Sequence, residues 1–213
     1  MTTSAVTPAV VPVRARFAKS TLWLAMGAMV LSVLVLTELP MLRPGPRHSH
    51  LFLIRWLIVP HALAGMLALL IGPVQFSSRV RRRWLRLHRL LGRIYVGSVF
   101  VASALAIAMI IYSHFKPVLF VANVVQSGAW SMVTLAALLT ARNRHIVQHR
   151  QWMIRSYAIT FTFILLRVPR PLHMWSANVT GDMSGVSIIV ATFLAVLVPD
   201  IAFQWRELTT RRT

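Results

Sequence analysis

The sequence predicts an all-α fold: a polytopic transmembrane bundle of six helices with both termini in the cytoplasm. The first observation behind this prediction is composition. The chain of 213 residues is 57% hydrophobic, has a mean hydropathy of +0.67, and is only 13% charged, which is low for a water-soluble domain. The second is that apolar residues gather in runs of spanning length, and the third is that basic residues gather between those runs.

Six apolar runs each approach the roughly 20 residues that cross a hydrocarbon core about 30 Å thick. They are Thr21–Met41, Trp56–Phe76, Ile94–Ser113, Val118–Ala141, Trp152–Val168 and Gly185–Trp205. The first run is longer than the h-region of a signal peptide, and no A-x-A-like site follows it. We therefore expect a cytoplasmic tail over residues 1–20, a membrane domain over 21–206 and a second cytoplasmic tail over 207–213. The fifth run is the shortest.

The distribution of lysine and arginine orients the helices. The segment from Arg79 to Arg93 carries seven arginines and no acid, and alternate segments on the same predicted side bring the total there to 17 of 23 basic residues. By the positive-inside rule this side is cytoplasmic. A basic run can also bind nucleic acid, but flanking runs of spanning length favour a loop against anionic phospholipid headgroups. The expected partner is thus the lipid bilayer and not nucleic acid.

Several classes of chemistry are excluded or disfavoured. The chain has no cysteine, which excludes disulfides, thiolate metal sites, covalently attached haem c and a cysteine nucleophile. It contains no glycine-rich phosphate loop, GxSxG elbow or HExxH motif. Carboxylates are nearly absent from the apolar runs, which weighs against an ion-coupled carrier.

Two segments of the chain echo one another. Residues 88–95 read HRLLGRIY and residues 149–157 read HRQWMIRSY, and each places a His-Arg pair at the inner mouth of a predicted helix. Each also follows an apolar run and a basic loop. The similarity predicts two duplicated hairpins, or it reflects chance likeness between two positive-inside loops.

The histidines of these two segments, His88 and His149, form the most specific candidate site. Because both begin helices at the same membrane face, their depths match, and two imidazoles on neighbouring helices are the ligands that a bis-histidine b-type haem requires. Four adjacent arginines could pair with haem propionates: Arg89, Arg93, Arg150 and Arg155. The alternative is that both histidines are interfacial and contact headgroups and loop carbonyls.

Two further ionisable residues lie within apolar runs. His61 shares a predicted helix face with small residues and with Gln75, and an ionisable group at such depth is a candidate ligand or proton carrier; otherwise it is a neutral imidazole bonded across a helix interface. Arg167 ends a polar face of the fifth run that begins at His149, so this run should be central in the bundle. Glu38 is a candidate partner for Arg167.

The motifs around these residues resemble a known family. The pattern H-x3-G-x6-G-x2-Q-F from His61, then L-H-R-x2-G-R-x-Y-V, resembles the DUF2306 family of predicted bacterial membrane proteins, and HRQWMIRSYAITFTFILLR resembles its other signature. The resemblance covers roughly residues 50–205. It implies a multi-pass fold in the bacterial inner membrane and no stated activity. The family-type positions are His61, His88, Arg89, Gly92, Arg93, His149, Arg150, Arg155 and Arg167.

The architecture also resembles haem-b bundles such as cytochrome b561, although no helix here carries two widely spaced histidines. We therefore hold three functional hypotheses. The first is a haem-b- or quinone-associated redox protein, with His88 and His149 as ligands and His61 as a second site or proton relay. The second is a non-catalytic assembly, lipid-binding or sensor protein with structural histidines. The third is a small-solute transporter.

Overall fold

All regular structure in the described part of the chain is helical, as predicted. A computed structural model describes residues 24–32, 54–112, 117–166 and 181–209, together with residues 21 and 35. The helices are α1 (Arg55–Gln75), α2 (Ser78–Arg83), α3 (Leu85–Tyr112), α4 (Pro117–Arg142), α5 (Ile146–Leu165) and α6 (Gly181–Thr209). The chain divides into two units, residues 1–42 and 43–213. The first unit is helical over residues 24–32, and all six labelled helices belong to the second.

The hairpin formed by α1 and α3 turns through the short basic helix α2. Helix α1 ends at Gln75, and the N–H of the following Phe76 bonds to the carbonyl of Pro73 at 3.2 Å. Ser77 then caps α2, because its hydroxyl accepts from the N–H of Val80 at 3.5 Å, as serine does at helix starts. The arginines of α2 need no acidic partner here, since they lie at the predicted headgroup level.

The hairpin formed by α4 and α5 has a tighter turn. Helix α4 begins at Pro117, a position where the missing N–H would have no intrahelical partner anyway. Arg144 follows α4 with a φ of 62°, a left-handed conformation that reverses the chain. Helix α5 then begins at Ile146, so only three residues separate the two helices.

Each hairpin packs against the other. Within them α3 runs along α1 and α5 along α4; between them α3 contacts α4 and α5 contacts α1. Helix α6 covers α4 and α5, where Val133, Ile159 and Ala195 form one apolar cluster. Helix α5 contacts α1, α4 and α6, and its Ser156 and Thr160 hydrogen-bond to Tyr95 of α3. It therefore touches all four other long helices, which confirms its predicted central place.

The outer surface is apolar and the interior contains many small and polar side chains. Large hydrophobic residues such as Leu63, Leu67 and Phe193 are 62%, 47% and 63% exposed, whereas Thr134 and Ser156 are fully buried. A continuous apolar exterior would be unfavourable in water but suits lipid chains. Polar residues in the interior join the helices by hydrogen bonds, which is common in membrane bundles.

Four described helices are long and apolar enough to cross a membrane. They are Arg55–Gln75, Leu85–Tyr112, Pro117–Arg142 and Ser184–Trp205. Helix α5 is not among them, because its hydroxyl and basic side chains make it less apolar. Only residues 21, 24–32 and 35 of the first predicted run are described. The described residues therefore contain four candidate membrane spans. The predicted total of six spans and the predicted sidedness of the termini stay predictions.

Candidate functional site

His88 lies at the start of α3, where it meets the last residue of α1. Gln75 is buried with 7% exposure, and its amide satisfies its neighbours when the nitrogen faces the histidine. In this orientation Nε2 donates to Nδ1 of His88 at 3.1 Å and to its carbonyl at 3.3 Å, while Oε1 accepts from the N–H of Gly92 at 3.3 Å. These bonds hold the imidazole between the two helices of the first hairpin.

His149 takes the equivalent place in the second hairpin. Its Nδ1 lies 2.8 Å from the carbonyl oxygen of Ala137 on α4. Because a carbonyl only accepts, Nδ1 carries the proton and Nε2 has the lone pair. Metal-ligating histidines commonly make this bond through the nitrogen that does not bind the metal.

His88 and His149 lie within electrostatic reach of one another, because charge on His149 acts on His88. Among the described residues no group of three or more histidine, aspartate or glutamate side chains comes together. Imidazole nitrogens from two different helices are the kind of donor that a b-type haem uses.

The arginines near this pair divide into two kinds. Arg89, Arg93 and Arg150 are exposed and lie near the starts of α3 and α5. Arg155 instead forms an ion pair with Asp200 of α6, in which Nε donates to Oδ1 at 2.5 Å. Its guanidinium also lies 4.5 Å from the centre of the Trp152 ring. Arg155 is thus engaged in packing α6 onto α5, while the other three remain suited to propionates or headgroup phosphates.

A buried hydrogen-bond network lies deeper in the bundle. The Tyr95 hydroxyl of α3 lies 2.8 Å from Ser156 Oγ and 3.0 Å from Thr160 Oγ1 on α5. Ser156 Oγ in turn lies 2.6 Å from Thr134 Oγ1 on α4, and Trp130 Nε1 donates to Thr160 at 3.0 Å. Three helices are therefore joined through groups that satisfy one another, as buried polar atoms require.

Tyr157 makes the matching connection in the opposite direction. Its hydroxyl donates to the carbonyl of Leu69 on α1 at 3.2 Å, and its ring packs edge-on against Phe76 at 5.6 Å between centroids. The ring lies directly against the backbone of Gly72, in the space a Cβ would occupy. The tyrosine of each hairpin thus hydrogen-bonds to the other hairpin.

The contacts of the two hairpins are similar but not in the same register. His88 bonds the side chain of Gln75, 13 residues before it, while His149 bonds the backbone carbonyl of Ala137, 12 residues before it. Tyr95 follows His88 by seven residues and Tyr157 follows His149 by eight. The duplication of the two hairpins therefore stays a prediction.

His61 lies apart from His88 and His149. Its Nδ1 is 2.9 Å from the carbonyl of Ala102, and its ring centre is 6.5 Å from that of Phe163. Since Ala102 follows His88 by several helical turns along α3, the structure does not bring His61 to the two inner histidines. Its bond across the α1–α3 interface agrees with the reading of His61 as a bonded imidazole. Arg167 and Glu38 lie outside the described residues.

Three participants were not identified from the sequence as partners. The sequence predicts Gln75 on the helix face of His61, and it singles out neither Asp200 nor Trp130 as a partner. Asp200 had one available signal, because a carboxylate in an apolar run requires a partner. The partner itself depends on how α6 packs, which no local pattern specifies.

Comparison with known proteins agrees with this architecture. The family model for predicted membrane proteins named DUF2306 matches residues 58–205, more than half of the chain. No curated protein and no solved structure matches. The match covers nearly all of both hairpins and most of α6, and it includes His88 and His149. The chain therefore belongs to the DUF2306 family of predicted membrane proteins.

Proposed function

We propose that this protein is an electron-transfer protein that holds one b-type haem between His88 and His149. The observation that carries the proposal is the placement of these two imidazoles at matching positions of two similar hairpins, within electrostatic reach of one another. Sites at the interface of internal repeats are common in membrane proteins. A b-type haem can take its ligand nitrogens from two histidines, and His88 and His149 would supply them from the starts of two helices.

The proposal includes a position in the membrane. The chain spans the bacterial inner membrane six times, with both termini and the His88–His149 pair at the cytoplasmic side. The apolar exterior of the helices and the strongly basic segment at Arg79–Arg93 support this orientation. A quinone in the bilayer is a suitable redox partner, because it is lipid-soluble.

Named residues divide the work of holding the haem. His88 and His149 would hold the haem iron, and exposed Arg89, Arg93 and Arg150 would pair with its propionates. The bond from Nδ1 of His149 to the Ala137 carbonyl fixes its ring orientation. When bound, the haem supplies one-electron chemistry. Arg155 is left out of this set because it is bound to Asp200.

An absorption spectrum of the purified protein tests the proposal. The protein should be produced in haem-replete cells and reduced with dithionite, and a low-spin bis-histidine centre would give sharp visible bands. His88→Ala and His149→Ala should each abolish those bands while the protein still inserts. His145→Ala is the matched control, since His145 is an exposed histidine of the same loop, and it should leave the spectrum intact.

A second candidate is a non-catalytic, lipid-binding membrane protein in which the histidines are structural. It is favoured by one observation: His88 and His149 each already hydrogen-bond to the preceding helix of their own hairpin. Under this alternative the wild-type protein is colourless, and replacing either histidine lowers its melting temperature. A colourless wild-type protein from haem-replete cells would rule out the haem proposal and favour this one.

A further inference from the structure

The joint between α2 and α3 carries exposed apolar side chains on a hydrogen-bonded backbone. Trp84 is its central residue: the N–H of Trp84 donates to the Val80 carbonyl of α2 at 2.8 Å, and its carbonyl accepts from the N–H of His88 of α3 at 3.0 Å. Trp84 is nevertheless 59% exposed, and the following Leu85 is 45% exposed. The joint therefore holds two apolar residues at a defined place on the surface.

Three exposed arginines flank these apolar residues and form what we call the arginine cluster. Arg82 and Arg83 are the last two residues of α2, and Arg86 is the second residue of α3. The dipole of α2 favours cations at its end, but that of α3 disfavours a cation so near its start. The like charges of the cluster also repel one another. A negative partner would therefore stabilise the arginine cluster.

The two hairpins contain no carboxylate that could be this partner. No aspartate or glutamate occurs between residues 39 and 181. Asp200 of α6 is already ion-paired with Arg155. The negative charge that balances the arginine cluster is therefore expected to come from outside the hairpins.

The apolar residues of the joint indicate which kind of anion this is. A free anion would neutralise the arginines but would leave Trp84 and Leu85 in water. Indole rings are favoured at the membrane–water interface, because they have an apolar body and one polar N–H group. An anionic phospholipid combines a phosphate with hydrocarbon, so it matches both the arginine cluster and its apolar neighbours.

We propose that the joint is a binding site for one anionic phospholipid, whose phosphate binds the arginine cluster and whose hydrocarbon packs against Trp84 and Leu85. This site is more specific than the general attraction between a basic surface and anionic lipid, because the two helices fix where the cluster and the apolar residues lie. It uses none of the residues assigned to the haem, so it is independent of the proposed function.

Fluorescence quenching by a brominated lipid tests the site. The full-length protein in non-ionic detergent is titrated with phosphatidylglycerol that is brominated on its acyl chains, and the fluorescence that Trp84→Phe removes is the signal of the joint. Loss of one arginine near a lipid surface weakens the attraction about fivefold. Arg83→Gln combined with Arg86→Gln should therefore raise the lipid concentration for half-maximal quenching about 30-fold.

A second pair of substitutions is the matched control. Arg142→Gln combined with Arg144→Gln removes two exposed arginines at the end of α4 and in the turn that follows it. This pair lies on the same predicted side of the membrane and lowers the net charge equally, but it should leave quenching of Trp84 unchanged. Arg83→Lys combined with Arg86→Lys should bind the lipid nearly as the wild type does, because lysine binds phosphate as a point charge.

Two results would overturn the proposal. Equal weakening by the two glutamine pairs would show a diffuse attraction to the whole basic surface. Equal quenching by brominated phosphatidylcholine, which is zwitterionic, would show that the joint does not distinguish an anionic headgroup. Quenching that is selective for phosphatidylglycerol and is lost only with the arginines beside Trp84 would support the site, whether or not the protein is coloured.

Discussion

Gly72 is the residue on which the contact between the two hairpins depends most directly. The ring of Tyr157 lies in the space that any larger side chain at position 72 would need. The tyrosine has little freedom to withdraw, since its hydroxyl is bonded to the Leu69 carbonyl and its ring packs on Phe76. At Gly65, in the same helix, an added Cβ would meet nothing within 4 Å.

These two glycines give a matched pair of substitutions. Gly72→Ala should lower the free energy of unfolding by about 1–3 kcal/mol, the usual cost of overpacking a core. Gly65→Ala should be neutral or stabilising by up to about 1 kcal/mol, because alanine is the better helix former. Thermal unfolding in detergent measures both. Equal melting temperatures for the two variants would show that Tyr157 does not occupy the space beside Gly72.

The sequence predicts the depth of individual residues better than their partners. The sequence predicts His88 and His149 at one level because each follows a basic loop and begins a helix, and each is the fourth residue of its helix. The bond between His88 and Gln75 could not be predicted in the same way. It depends on the register of α3 against α1, which is fixed by the packing of many side chains along both helices.

At the scale of the element, α5 can carry polar side chains because it lies in the interior of the bundle. Its hydroxyls at Ser156, Thr160 and Thr162 are buried against other helices, so they lower its hydropathy without facing lipid. This polar face was readable from the spacing of residues along the fifth run. The identity of the helix that covers Arg155 was not, because α6 follows a long segment of the chain and any of several helices could have packed there.

The Arg155–Asp200 pair should fix α6 on α5. Arg155→Leu leaves a carboxylate without its partner, and loss of one partner of a buried pair typically costs about 3–5 kcal/mol. We expect the lower end of that range, since Asp200 retains 35% exposure. Arg150→Leu is the control and should change stability by less than about 0.5 kcal/mol, as is usual for exposed residues. Thermal unfolding in detergent reports both.

A double variant makes this prediction sharper. Arg155→Leu combined with Asp200→Leu removes both charges, so it should be less destabilising than the sum of the single changes. Strict additivity would mean that the two side chains do not interact in the membrane-embedded protein.

At the scale of the whole molecule, the asymmetry of basic residues predicts sidedness. The chain has no native cysteine, so single cysteines report cleanly. Ser113→Cys should react with an impermeant thiol reagent in intact cells, and Ser78→Cys only after lysis. The reverse pattern would invert the orientation, and equal labelling of the two sites would contradict a span between them.

Each hairpin contributes a tyrosine that hydrogen-bonds to the other hairpin, and this bears on how the protein is assembled. Translation delivers α1 and α3 to the membrane first, and at that stage the Tyr95 hydroxyl lacks its partners on α5 and the space beside Gly72 lacks its ring. The partners of Tyr95 and the ring that packs beside Gly72 are present only after the chain has been synthesised and inserted as far as residue 160. The first hairpin therefore cannot complete its buried contacts by itself, and its native packing depends on the second hairpin.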